Sequence, residues 1–249
     1  MDSREFDRLI ARASDPRLIP GVYNYCDSRC SRCPFTTRCL IYLENEAFNS
    51  ADAGASLAET VRASLRQTSE MVAGIAPREA VDVAALAESA LHASRSDLNR
   101  HRRDPLIVGA EEYTRLAWRV SHAIAPLVSA RGEPLVIDAV ATIQWFSLRV
   151  SSKIYRAIVG RIEGWEPDDQ VQTDVNGSAK VALLWIAESR HAWRVLMEAG
   201  KATADGVPAQ AVAMLDALDA AVRKRFPHAM AFVRPGFDEA PIAAPDQEG

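Results

Sequence analysis

The sequence predicts an all-α fold: an antiparallel helical bundle of six or seven helices with an N-terminal four-cysteine metal module. Three observations predict it. Apolar residues recur at the helical period from about residue 56 to residue 226, without the strict alternation that marks strands. Alanine is abundant throughout, which favours helix. All four cysteines, Cys26, Cys30, Cys33 and Cys39, fall in one short stretch near the start.

The chain has 249 residues, 48% of them hydrophobic, enough for one main helical domain and a small appended module. The expected division is residues 1–45 for an N-terminal helix and the cysteine module, 46–237 for the bundle, and 238–249 for a disordered acidic tail. A formal net charge of -4 supplies no basic field to attract nucleic acid or an anionic membrane. Apolar runs such as PLVIDAVA fall far short of the ~20 residues of a spanning helix. The opening MDSREFDRLI has no cationic segment followed by an apolar run, so a cytoplasmic location with reduced thiols is expected.

Residues 2–13 read as an amphipathic helix with Phe6, Leu9, Ile10 and Ala13 on one stripe. Pro16 and the Pro20-Gly21 pair predict an extended connection into the cysteines. These are spaced C-x3-C-x2-C-x5-C. Thiolates are soft, charged ligands, and four so close together converge on one centre only if a cation sits between them. Structural zinc more often uses two separated C-x2-C knuckles, whereas this compact run, with Pro34 directly after the third cysteine, reads as cluster ligation. A [4Fe-4S] cluster on Cys26, Cys30, Cys33 and Cys39 is therefore the expected cofactor, zinc the alternative, and paired disulfides the third reading. Arg29, Arg32 and Arg38 lie where they would offset the charge of such a centre, and Tyr23, Tyr25, Phe35 and Tyr42 supply an aromatic wall.

Two resemblances rest on these residues. CSRCPFTTRC, with Cys30, Cys33 and Cys39, is similar to the iron-sulfur staple of nucleases in CRISPR adaptation and recombination repair. It covers ten residues. Those nucleases keep a further cysteine far away in a strand-rich core that this chain lacks, so nuclease activity is not carried over. The longer string IPGVYNYCDSRCSRCPFTTRC, with the later DVNGSAKVALL, resembles a group of uncharacterised bacterial helical proteins, which implies a helical fold and no particular activity.

Beyond the cysteines, residues 40–48 read either as helix or as irregular chain. Helices are then expected over 56–73, 78–98, 107–129, 134–162, 178–198 and 208–226. In the third of these, Leu116, Val120, Ile124 and Leu127 are expected to face the core, and in the fourth Val136, Val140, Ile143, Val150, Ile154 and Ile158 repeat at near-heptad spacing. Arg149, Lys153 and Arg156 form a basic stripe on that helix. The polar loop 164–177 precedes a helix start capped by Asn176 or Ser178, and Asn176, Gly177, Ser178 and Lys180 are candidates for holding an anion. The helix over 178–198 is apolar on more than one face and should be central. Glu188 and His191 on it have the Glu-x-x-His spacing of dinuclear iron bundles, which makes them the candidate catalytic pair. Residues 233–237 are expected to pack back on the bundle.

The leading function is thus an iron-sulfur protein whose cluster is structural, redox-sensing or electron-transferring. Its expected partner is a redox or other protein, with nucleic acid less favoured and no membrane. The alternatives are a zinc-stapled nucleic-acid or protein-interaction module using the basic stripe, and an enzyme, metal-dependent in one version, with a pocket near Glu188, His191 and the 164–177 loop.

Overall fold

The structure is a computed structural model, and it describes residues 11–51, 101, 103–131, 133–164, 170–199 and 206–238, together with isolated positions at 59, 62, 65, 66, 69, 70 and 88. The chain forms two compact units: Met1–Asp97 with Arg234–Gly249, and Leu98–Val233. The expected boundary near residue 45 is not where the chain divides, and residues 234–237 group with the cysteines instead of with the bundle. Every regular element among the described residues is helical. Most of the expected N-terminal helix, the helices over 56–73 and 78–98, and the tail beyond residue 238 lie outside the described residues.

In the first unit the cysteine stretch is a chain of three-residue 3-10 turns, Val22–Asn24, Cys30–Arg32 and Thr36–Arg38, followed by helix α1 over Leu40–Ala51. The expected extended entry is absent. Residues 15–25 are held instead in successive turns, with Leu18 N–H bonding the Asp15 carbonyl and Val22 N–H that of Ile19.

The second unit contains α2 (Pro105–Arg131), α3 (Pro134–Ile162), α4 (Asp174–Glu198) and α5 (Val207–Arg225). Pro134 sits in the first turn of α3, where its missing N–H costs no hydrogen bond. Val136, Val140, Ile143, Val150, Ile154 and Ile158 are all buried, as their spacing requires. On α2 two of the expected core residues, Leu116 and Ile124, are buried, whereas Leu127 is 68% exposed. Tyr113, Ala117, Ser121 and Val128 complete the buried face, and its serine and small alanine are positions that counting only large apolar residues passes over.

Helix α4 packs against α3, α5 and the short turn Ala229–Ala231, and is buried on nearly all sides over its first half. It is the central helix. Cross-helix bonds tie the helices together: Thr114 Oγ1 donates to the Ser147 carbonyl at 2.7 Å, and the buried Trp193 Nε1 to Tyr113 Oη at 3.3 Å. Arg223, Lys224 and Arg225 end α5, where the negative end of the helix favours cations. No helix among the described residues is long and apolar enough to cross a membrane.

Two measurements check this packing. Phe146 is 1% exposed and stacks on Trp185, and Phe146→Ala is expected to cost about 3–5 kcal/mol in urea unfolding. Leu148→Ala, at a side chain 67% exposed, should change stability by less than about 0.5 kcal/mol. Burial pushes the Tyr113 phenol above its ordinary value of about 10, partly opposed by the Ser189 and Trp193 side chains beside it. A raised folded value means the neutral phenol's contribution is full below that ordinary value and lost as pH rises through the folded one. Tyr113→Phe is therefore expected to flatten the alkaline fall of Tm above pH 10, relative to the unaltered protein.

Candidate metal centre

The local fold brings the cysteines together through the backbone. Ile19 N–H donates to the Arg38 carbonyl at 2.9 Å, and Arg38 Nε donates to the Arg17 carbonyl at 3.1 Å, so the chain just before the first cysteine lies beside the chain just before the last. Between them the chain reverses tightly. Asp27 Oδ1 accepts from Arg29 N–H at 3.0 Å, and Ser28 adopts φ 57°, the left-handed region that a non-glycine residue enters at a cost of about 1–2 kcal/mol. Cys33 N–H bonds the Cys30 carbonyl, and Cys39 N–H bonds the Thr36 carbonyl. Cys39 immediately precedes α1, and its own carbonyl accepts from Leu43 N–H.

As a result Cys26, Cys30, Cys33 and Cys39 line one small cavity with Val22, Tyr23, Phe35 and Tyr42. All four are free in this structure. Cys30 is exposed and the other three are half-buried. Two sulfurs already have polar partners: the Cys26 thiol donates to the Tyr23 carbonyl at 3.5 Å, and Cys33 Sγ accepts from Phe35 N–H at 3.4 Å. Desolvation by the surrounding loop pushes the Cys30 thiol above its ordinary value, and Cys26, Cys33, Cys39 and Asp27 add to the shift in that order. The four sulfurs are thus within electrostatic reach of one another.

The donor set fits a thiophilic centre in chemistry: four soft thiols, unpaired, facing one space with an aromatic side. It is not a preformed polyhedron. Among the described residues no three or more His, Cys, Asp or Glu side chains are grouped as a ready-made site for a metal ion. Of the arginines expected to offset charge, Arg32 pairs with Asp27 at 3.2 Å and Arg38 is engaged with the Arg17 carbonyl.

One contributor to the region was not foreseen. Phe237 packs edge-on against Phe35 with ring centroids 4.9 Å apart, and Gly236 lies against Ile19. Nothing in local spacing could link residues some two hundred positions apart. The expected return of 233–237 onto the bundle holds only for Val233, whose backbone is clasped by the Gln172 amide at 2.7 and 3.0 Å.

The other candidate residues are placed differently from expectation. Glu188 and His191 are both exposed on α4. The reason is register: the buried side of α4 at this level is Ser189, Ala192, Trp193 and Leu196, which leaves 188 and 191 outside. Two concavities of about 760 and 600 Å³ lie along α2 and α5, lined in part by Glu112, Arg115, Leu106 and Met214, away from that pair.

The anion candidates are all buried, with Asn176 and Lys180 engaged inside the fold and the Ser178 hydroxyl without a hydrogen-bond partner. Thr173, not Asn176 or Ser178, caps α4, its Oγ1 accepting from Asn176 N–H at 3.1 Å. Asn176 Nδ2 donates to the carbonyls of Gln170 and Val171, and Lys180 Nζ donates to the Phe232 carbonyl at 2.6 Å. On the basic stripe, Arg156 pairs with Asp174 at 2.7 Å, and Arg149 bonds the Trp145 carbonyl while lying 3.8 Å over the Trp145 ring. These groups tie the loop and the helix starts to their neighbours.

No protein-family model, curated protein or solved structure matches the chain. The site is therefore argued from its own chemistry.

Because Lys180 is 8% exposed and holds a backbone carbonyl, Lys180→Met is expected to destabilise the protein by about 1–3 kcal/mol through the carbonyl left without its partner. Urea unfolding reads the loss. Calorimetric titration with inorganic phosphate should give no heat of binding for the unaltered protein.

Proposed function

We propose that this protein is a cysteine-ligated iron-sulfur protein, with Cys26, Cys30, Cys33 and Cys39 holding a [4Fe-4S] cluster, on a chain whose remaining helices form an antiparallel bundle. The observation that carries the proposal is the convergence of four free thiols on one cavity within a segment that has almost no core of its own. Among residues 11–46 only Leu18, Ile19 and Val22 are buried. Loops with so few buried apolar residues of their own are commonly held by disulfides or metals, and four thiols lining one cavity supply a ligand set for a metal.

The choice of cluster over a single zinc ion follows from the compact run of four cysteines with Pro34 directly after the third, where structural zinc more often uses two separated C-x2-C knuckles. One zinc requires all four within about 2.3 Å of a single point. In a cluster each thiolate meets its own iron, so the ring of sulfurs is wider and tolerates the uneven C-x3-C-x2-C-x5-C spacing. Bound there, a cluster supplies one-electron redox chemistry. With a cysteine for each iron, no place is left open for substrate, so the role is structural, redox-sensing or electron-transferring, in a protein acting with a redox or other protein partner.

Protein purified without oxygen is expected to be brown, with broad absorption near 400 nm and about four irons per chain. Cys30→Ser with Cys33→Ser should abolish both. Colourless protein with one zinc and no iron would replace the cluster by a zinc staple, and loss of neither colour nor iron in the double variant would remove the cysteines from the site.

A further inference from the structure

The residues lining the cysteine cavity differ in exposure. Cys30 is exposed, flanked by exposed Ser31 and Arg32. Phe35 is half-buried, and its backbone N–H is bonded to Cys33 Sγ. Phe35 is itself backed by a segment from the far end of the chain. Phe237 meets it edge to face at 4.9 Å and 88°.

The segment that carries Phe237 is built to hold one shape. Phe237 and Asp238 N–H groups both bond the Arg234 carbonyl at 3.1 Å. The Arg234 side chain returns to Asp238 through contacts of 2.8 and 3.1 Å, and its guanidinium lies 5.1 Å from the centre of the Phe237 ring. Gly236 takes φ 76°, and a Cβ there would come within 2.9 Å of Ile19 Cδ1 and 3.6 Å of the Phe35 ring. The turn is thus closed by an ion pair, seated on Ile19 and shaped around glycine where a side chain would not fit. Ile19 is the residue whose N–H ties the entry of the cysteine loop to Arg38.

We infer that the C-terminal turn, residues 234–238, is the fixed outer wall of the cysteine site, and that Phe237 is its positioning residue, holding Phe35 against the Cys33 side so that access is directed to the Cys30 side. The inference about access concerns the protein's own thiols. Its purpose, a cluster sheltered on one side and approachable at Cys30 by a redox partner, rests on the reading of the cysteines given above. In a site of this form the half-buried ligands are kept from water while one ligand faces the surface.

The test uses metal-free, reduced full-length protein and N-ethylmaleimide as probe, with alkylation of each cysteine followed by peptide mass mapping. In the unaltered protein Cys30 is expected to react fastest. Phe237→Ala should accelerate Cys33 by about tenfold and leave Cys30 within about twofold, and Phe237→Leu should restore most of the protection. Equal acceleration of all four thiols would indicate general loosening and overturn the directional wall. Unchanged rates at Cys33 would overturn it too. A second arm follows anaerobic extraction of iron by a chelator from cluster-loaded protein, expected to be several-fold faster in Phe237→Ala. Should the unaltered protein take up no iron, the cluster reading fails while the alkylation pattern still decides the wall.

Discussion

The hydrogen bond from Ile19 N–H to the Arg38 carbonyl is the contact on which the cysteine segment depends. It joins the two ends of the loop that carries the sulfurs, and closing a loop of that length costs conformational entropy that local turns alone do not recover. Arg38 reinforces the closure with its side chain on the Arg17 carbonyl. Everything specific about the segment follows from these ends being together: the reversal at Ser28, the seating of Cys39 at the start of α1, and the Ile19 surface on which Gly236 rests. Without the closure, the four thiols would belong to a flexible stretch with no shared cavity.

The helical unit is stabilised in another way. Its core runs from Tyr113 through Phe146, Ile154 and Ile186 to Trp193 and Leu215, all nearly inaccessible, so apolar burial at roughly 25 cal/mol per Å² dominates there. Its buried polar groups act as fasteners. Lys180 on the Phe232 carbonyl and the Gln172 clasp on Val233 fix the chain after α5 against the start of α4. A buried ammonium is tolerated because it meets a carbonyl at 2.6 Å, and removing either member would leave the other unsatisfied. Asn176 does the same for residues 170 and 171. What resembled an anion pocket in sequence is an anchor, since amides and an ammonium near a helix start serve either purpose and only their partners distinguish the two.

Much of the fold was legible because periodicity is a backbone property. Helix α3 was expected over 134–162 and spans Pro134–Ile162, its ends marked by a proline after Gly132-Glu133 and by Gly164. The register of α2 was less legible. Ser121 and Ala117 sit inward because they allow close approach of α3, and a reading that follows large apolar residues selects Leu127 instead. Glu188 and His191 illustrate the same limit: a correct interval on a helix does not say which side faces inward when both sides carry apolar residues. The gathering of the cysteines was legible from spacing alone. The contribution of Phe237 was not, because a contact between the two ends of a chain leaves no local pattern.

The two units therefore differ in what their stability can rest on. The helical unit buries a continuous apolar core. The cysteine segment buries three apolar residues among those described and places four thiols around one cavity. Thiolates gathered this way would favour the folded loop only with a cation among them, and then the attraction would be large because the sulfurs are partly removed from water. For such a segment the free energy of metal binding and the free energy of folding are the same quantity, since the ligands are brought together only in the folded loop. The backbone closure at Ile19 and the aromatic wall at Phe35 reduce the entropy that binding must overcome. The loop geometry suits the proposed cofactor in this sense: it brings four thiols around one cavity, and a bound metal would supply the remaining order.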